Sequence, residues 1–204
     1  MTSALRGHAR EEAILAAAVE LVAEIGYDRV SMDAIAARAR ASKATIYRKW
    51  PGKAPLIAEA VRRTAEAVPP QATNTGTVRG DLLASVAAIT RALTGHTGPS
   101  IIGLTQALRE DRTLRDLVRA QIADRSIAQG ALIAGSAAGR GEQVDAARVA
   151  RVLDLAVAQL FLTTLLGGAP PTTADQSALV DEVLLPLLSH GGPGQPHRAR
   201  VRDA

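Results

Sequence analysis

The chain has 204 residues, of which 47% are hydrophobic, 22% charged and only 2% aromatic, and it contains no cysteine. That balance excludes a disordered chain, and the missing thiols exclude disulfide scaffolds, thiol catalysis and sulfur-ligated zinc. The formal net charge of +4 is unevenly placed: residues 1–63 carry four more cations than anions, residues 64–189 two fewer, and the tail two more. A basic first segment ahead of a mildly acidic body points to a polyanion-binding end. A chain rich in Ala and Leu and poor in aromatic residues predicts an all-α protein, because sandwiches and barrels draw on aromatic and β-branched side chains.

In chain order, residues 9–25 read as an amphipathic helix with Ile14, Ala18, Leu21, Val22 and Ile25 on one stripe. Gly26 caps it in a left-handed conformation and Tyr27 folds back onto the core. Ser31 is the N-cap of a second helix over 31–39, with Val30 and Ile35 placed as a hydrophobic staple. After a three-residue connection, Ser42 opens a third helix that ends near Trp50, before Pro51 and Gly52. A fourth runs over 53–68, and the Pro/Thr/Gly-rich stretch 69–76 marks a domain boundary. The body then reads as a helix marked by Leu82, Val86, Ile89 and Leu93, a short one over 99–109, a long one over 113–138 closed by Gly139-Arg140-Gly141, and two more over 145–166 and 174–189. That makes about nine helices, with a disordered tail over 191–204.

Two short helices joined by a tight turn, over about 31–50, form a helix-turn-helix. At about 100° per residue, a core-facing Ile46 brings Trp50 to the same inner face and turns Ala44 and Arg48 outward, with Thr45 and Tyr47 on the flanks. A major-groove reader needs this layout: a small residue for close approach, a forked guanidinium for base edges, and hydroxyls for phosphates. The open N–H groups behind Ser31 and Ser42 suit phosphate oxygens, and Lys43, Lys49 and Lys53 add charge against the DNA backbone.

The stretch Val30-Ser31-Met32-Asp33-Ala34-Ile35-Ala36, with Ser42-Lys43-Ala44-Thr45-Ile46-Tyr47-Arg48-Lys49-Trp50 and Lys53, resembles the tetracycline-repressor type of bacterial transcription regulators. So does the Ile25-Gly26-Tyr27 ending of the first helix. The resemblance covers about 9–69 and implies an all-α homodimer, with a three-helix DNA-binding head and a helical ligand-binding body over 77–190. It implies DNA contacts at Ser31, Ser42, Lys43, Thr45, Tyr47, Arg48, Lys49 and Lys53. One position departs from the family pattern: Arg40 stands in the turn where glycine is usual, so a left-handed Arg40 stores strain of order 1 kcal/mol unless the turn relaxes.

The last two helices are apolar nearly all round, through Leu153, Leu155, Leu160, Leu162, Leu165 and Leu166 on one and Val180, Val183, Leu184 and Leu187 on the other. Such helices need cover on both faces, which predicts a homodimer through residues 145–166 and 174–189, with Pro186 kinking the last. The apolar core 155–166 is too short for a bilayer, which needs about 20 residues, so no membrane partner is expected and the chain reads as cytoplasmic. The histidines show no metal spacing, and no phosphate loop or nucleophile elbow occurs, so neither an enzyme nor a cofactor is expected. The expected function is a ligand-responsive repressor acting on a double-stranded operator and released by a small-molecule effector. Polar body residues such as Gln106, Gln121, Ser126, Gln129, Gln159 and Thr163 do not single out the effector pocket. The alternative is a small-molecule-binding or scaffolding helical protein that has lost specific DNA binding, for which Arg40 is the motive.

Overall fold

The computed structural model describes residues 2–66, 74–95, 104–167 and 169–189. Among them there is no strand, and nine helices follow the order expected for an all-α chain. The first, α1 (Thr2–Ile25), starts seven residues earlier than its amphipathic stripe suggests. Gly7 is taken into the helix instead of ending it, so the core-facing segment carries an N-terminal extension of two turns. Gly26 leaves the helix at φ 77°, and the 3-10 turn Tyr27–Arg29 buries the Tyr27 ring at 5% exposure.

Helices α2 (Met32–Arg38), α3 (Lys43–Lys49) and α4 (Lys53–Glu66) complete the head. Pro55 falls in the first turn of α4, where no intrahelical N–H is needed. The staple forms, with Val30 and Ile35 both buried beside the capping Ser31. Arg38 forks onto Glu24 through bonds of 2.9 and 2.7 Å, pinning α2 to α1.

The body contains α5 (Val78–Thr94), α6 (Thr105–Glu110), α7 (Arg112–Gly139) and α8 (Ala146–Gly167). The last helix, α9, is α-helical over Thr173–Ala178, π-helical over Leu179–Leu184 and α-helical again over Leu185–Ser189. The expected kink at Pro186 therefore takes the form of a widened turn just before it, in which the Leu185 N–H reaches back five residues to the Val180 carbonyl. Most of the expected boundary at 69–76, the first part of the short helix at 99–109, and the tail 191–204 with Arg198, Arg200 and Arg202 lie outside the described residues.

Helices α7 and α8 cross closely at Gly130, where a β-carbon would come within 2.6 Å of the Ala146 carbonyl oxygen. Any side chain there would force the two backbones apart. By length and composition α8 could cross a membrane, but here Val149, Val152, Leu153, Ala156 and Leu160 bury one side of it in the body's core. Residues missed in the sequence secure the far end of the body. Asp81 is fully buried at the start of α5, accepting hydrogen bonds from the Thr75 backbone N–H and hydroxyl and from Arg140 at the end of α7. The Arg140 guanidinium also holds Glu142 and Asn74, so a buried carboxylate is met by a cation and by neutral donors.

Head and body share a core. Leu104, Ala107 and Leu114, from the start of α6 and α7, pack in one cluster with Ile14, Ile35, Ile46, Trp50 and Ile57 of the head. At its edge the Tyr27 hydroxyl donates to Asp111 at 2.5 Å. The other Asp111 oxygen accepts the Leu114 N–H and so caps α7. Burial, and after it the bond to Asp111, pushes the Tyr27 phenol above its ordinary value. The Tyr27 hydroxyl, and after it the Leu114 N–H, holds the Asp111 carboxyl below the usual carboxylate range.

A carboxyl lowered on folding stabilises the native state above its unfolded value of about 3.9, and that contribution is lost as pH falls through the folded value. Tyr27→Phe should lower unfolding free energy at pH 7 by about 1.5–3 kcal/mol, the range for hydrogen bonds to charged groups. The gap from wild type should close on acidification below about pH 4, followed by urea unfolding across pH. A gap that does not depend on pH would mean that the bond draws nothing from the Asp111 charge, and no gap at pH 7 would mean that it contributes nothing.

Candidate nucleic-acid interface

The helix-turn-helix is assembled by two hydroxyl caps and one strained residue. Ser31 accepts the Ala34 N–H at 3.1 Å and Ser42 accepts the Thr45 N–H at 3.1 Å, so both starts are fixed locally. Between them α2 closes in a Schellman motif: the Arg40 N–H bonds the Ala37 carbonyl and the Ala41 N–H reaches the Ala36 carbonyl. That geometry needs a left-handed residue after the cap, and Arg40 occupies it at φ 49°. The turn has not relaxed. The same motif ends α7, where Gly141 takes the left-handed place at φ 80°.

Helix α3 then presents two unlike faces. Ile46 is fully buried and Trp50 is 5% exposed, while Lys43, Ala44, Tyr47, Arg48 and Lys49 are exposed and Thr45 lies between. Tyr47 stands half out of the surface at 50% exposure, which separates it from the core aromatics Tyr27 and Trp50. The Ser42 and Thr45 hydroxyls share a hydrogen bond of 2.8 Å on the same edge.

The three candidate lysines already have partners within the chain. Lys43 binds Asp33 of α2 at 2.7 Å, and that bond raises its pKa above the ordinary lysine value. Lys49 is paired with Glu11 of α1 and lies over the Trp50 ring. Lys53 is partly buried, donates to the Tyr27 carbonyl at 3.0 Å and sits 4.1 Å from the centre of the Tyr27 ring. Arg48 makes no ion pair or side-chain hydrogen bond among the described residues, and its guanidinium stands ready for an outside acceptor. Ser31, Ser42, Thr45, Tyr47, Arg48 and Lys49 thus lie at the exposed or half-exposed side of the helix-turn-helix, whereas Lys53 faces inward.

A groove of about 320 Å³ opens between α3 and the first half of α1. On the α1 side it is lined by Gly7, Arg10, Glu11 and Ile14, one helical face at spacings of three, one and three. On the α3 side lie Thr45, Arg48, Lys49 and Trp50. Sequence reasoning missed Arg10 and Glu11, although the spacing of four from Arg10 to the core residue Ile14 was a usable signal. Among the described residues no group of His, Asp or Glu side chains could hold a metal ion.

Replacing Arg40 with glycine removes the β-carbon clash of the left-handed conformation. Arg40→Gly should raise stability by about 1 kcal/mol, read as a higher thermal midpoint, and an unchanged or lower midpoint would mean that the turn is not strained.

Comparison with known proteins places this geometry. A family model described as "Bacterial regulatory proteins, tetR family" matches residues 14–60, and one described as "Tetracyclin repressor-like, C-terminal domain" matches residues 72–183. The chain is 38% identical over 187 residues to the "DNA-binding transcriptional repressor TetR" of Mycobacteroides abscessus, covering 91% of this chain and 97% of that protein. It is 39% identical over 184 residues to an uncharacterized HTH-type transcriptional regulator of Mycobacterium tuberculosis, covering 88% of each. Among solved structures, the TetR family transcription regulator SCO0332 superposes with a TM-score of 0.64 at 26% identity, over 86% of this chain and 96% of that one. The regulator FadR of Bacillus subtilis, solved with stearoyl-CoA, superposes with a TM-score of 0.62 at 20% identity over 87% and 97%. The chain belongs to the tetR family of bacterial regulatory proteins and is a transcriptional regulator with a helix-turn-helix head.

Proposed function

We propose that this regulator represses transcription as a homodimer on a pseudo-palindromic operator and lets go when a small-molecule effector occupies its body. The observation that carries the reading is the two-faced α3, with Ile46 and Trp50 buried while Tyr47 and Arg48, which has no ion pair among the described residues, point outward. Arg48 would read a base edge, Ala44 would permit close approach, and Ser31, Ser42, Lys43, Thr45, Tyr47 and Lys49 would meet phosphates. Lys53 would act indirectly, by holding the Tyr27 turn behind α3. Residues 9–69 serve as the DNA-binding head and 77–190 as the ligand-binding and dimerisation body, working in the cytoplasm without catalysis.

Of the ten exposed large apolar side chains among the described residues, six lie on α8 and α9: Leu155, Leu162, Leu165, Leu166, Val183 and Leu187. A second copy covering them by a twofold axis forms a four-helix interface, and it sets two recognition helices one DNA turn, about 34 Å, apart. The body's core contains one aromatic residue, Phe161, packed at its edge, which supports an effector held by aliphatic packing rather than by stacking. The Bacillus subtilis neighbour was solved with stearoyl-CoA, whose acyl chain is aliphatic. The effector would act by preferring a body conformation in which the heads are wrongly spaced, at a coupling of about 1–3 kcal/mol.

The test is a gel-retardation series on duplexes that the protein selects from a random pool. Arg48→Ala should weaken binding to the selected site about 5–150-fold, equivalent to 1–3 kcal/mol, with little change on random DNA. Equal losses on both would make Arg48 a phosphate contact, and no selected site at all would defeat the regulator mechanism proposed. In sedimentation at micromolar concentration the protein should run as a dimer, and a monomer would remove the α8–α9 interface.

A further inference from the structure

The groove between α1 and α3 contains charge that the helix-turn-helix does not account for. Three cations and one carboxylate line it: Arg10 and Glu11 from α1, Arg48 and Lys49 from α3. Glu11 is spent on Lys49, the pair bridging the two helices. Arg10 and Arg48 remain without an ion pair or side-chain hydrogen bond among the described residues, and Arg10 is exposed. The groove therefore carries two uncompensated guanidinium groups on opposite walls. It is open at its mouth, because a β-carbon on Gly7 would meet nothing within 4 Å.

We infer that this groove is a second DNA-backbone site, in which Arg10 of α1 grips a phosphodiester beside the bases read from α3, while Glu11 acts as a positioning residue that holds Lys49. The inference rests on the regulator reading above and extends the contact surface beyond the helix-turn-helix. Three physical facts favour a phosphodiester over other occupants. A guanidinium fork matches two phosphate oxygens, which a single lysine ammonium does not. The groove adjoins Arg48 and Thr45 on the face that meets the duplex, so a backbone lying along α3 passes its mouth. Its charged side chains, with one ion pair already closed, leave a net charge of two cations for an anionic chain.

The roles of the two basic residues on this flank then divide. Lys49 can reach a phosphate but brings only the part of its charge that Glu11 leaves, and the pair also sets how α1 docks on α3. Arg10 supplies the fuller neutralising charge on this flank. Its contact is with the backbone alone, so it strengthens binding to every sequence alike and brings no base preference.

The test uses the full-length protein and two probes, a duplex selected by wild type and a random duplex of equal length, each titrated over a salt series. Arg10→Ala should weaken binding to both probes by similar factors. It should also flatten the plot of log affinity against log salt by about 0.9 per subunit, the signature of one lost phosphate contact. Arg10→Lys should recover most of the slope, and Glu11→Gln, which releases Lys49 and removes a negative charge, should tighten random-duplex binding and steepen the slope. Matching far-UV spectra and thermal midpoints establish that the variants are folded. Wild-type binding with an unchanged slope in Arg10→Ala overturns the inference while leaving the regulator reading intact. A loss confined to the selected duplex overturns it too, by making Arg10 a base reader. If wild type binds neither probe, both readings fall.

Discussion

The burial of two side chains decides which way a seven-residue helix faces. Helix α3 is too short to be stable by itself, so its orientation comes from what it buries and not from its own hydrogen bonds. Ile46 and Trp50 enter the cluster formed by α1, α2 and α4, and their spacing of four turns the opposite arc outward. Every exposed group on that arc has its direction set by this pair. The Ser42 cap and the strained turn at Arg40 fix where α3 begins, and the Lys49–Glu11 pair fixes how it leans on α1.

The head is not an independent bead on a string. Its core continues into Leu104, Ala107 and Leu114, and the Tyr27 hydroxyl closes onto the residue that caps α7. A movement of α7 would reach the turn behind α3 through one short hydrogen bond and a packed cluster, both of which couple sharply because close-packed interiors do not deform smoothly. Lys53 reinforces that turn from the other side, bonding the Tyr27 carbonyl and lying over its ring. The far end of α7 is tied as firmly, through Arg140 on the buried Asp81. The long helix is thus anchored to the head at its start and to α5 at its end.

Charge on the head follows a division of labour that composition conceals. Lysines at 43 and 49 are closed by carboxylates from neighbouring helices. Exposed pairs of this sort contribute little to stability, but they hold helices in register. Arg10 and Arg48, without such partners among the described residues, keep their fields toward solvent.

Local signals determined much of this protein. Ala/Leu composition, hydroxyl caps, the glycine breaks at 26 and 141 and the spacing of Ile46 and Trp50 made the all-α class, the order of the helices and the two-faced α3 legible, because each depends on neighbours within one or two turns. The widened turn before Pro186 was half legible, since a proline announces a distortion without stating its form. The extra turns of α1 were not legible, because they end on no breaker that the core requires. Only the tertiary structure decided which cations are closed, that Tyr27 meets Asp111 across 84 positions, and that Asp81 is buried against Arg140. Those contacts join distant segments whose approach is set by packing of whole helices, and no local pattern in a single chain encodes the distance between them.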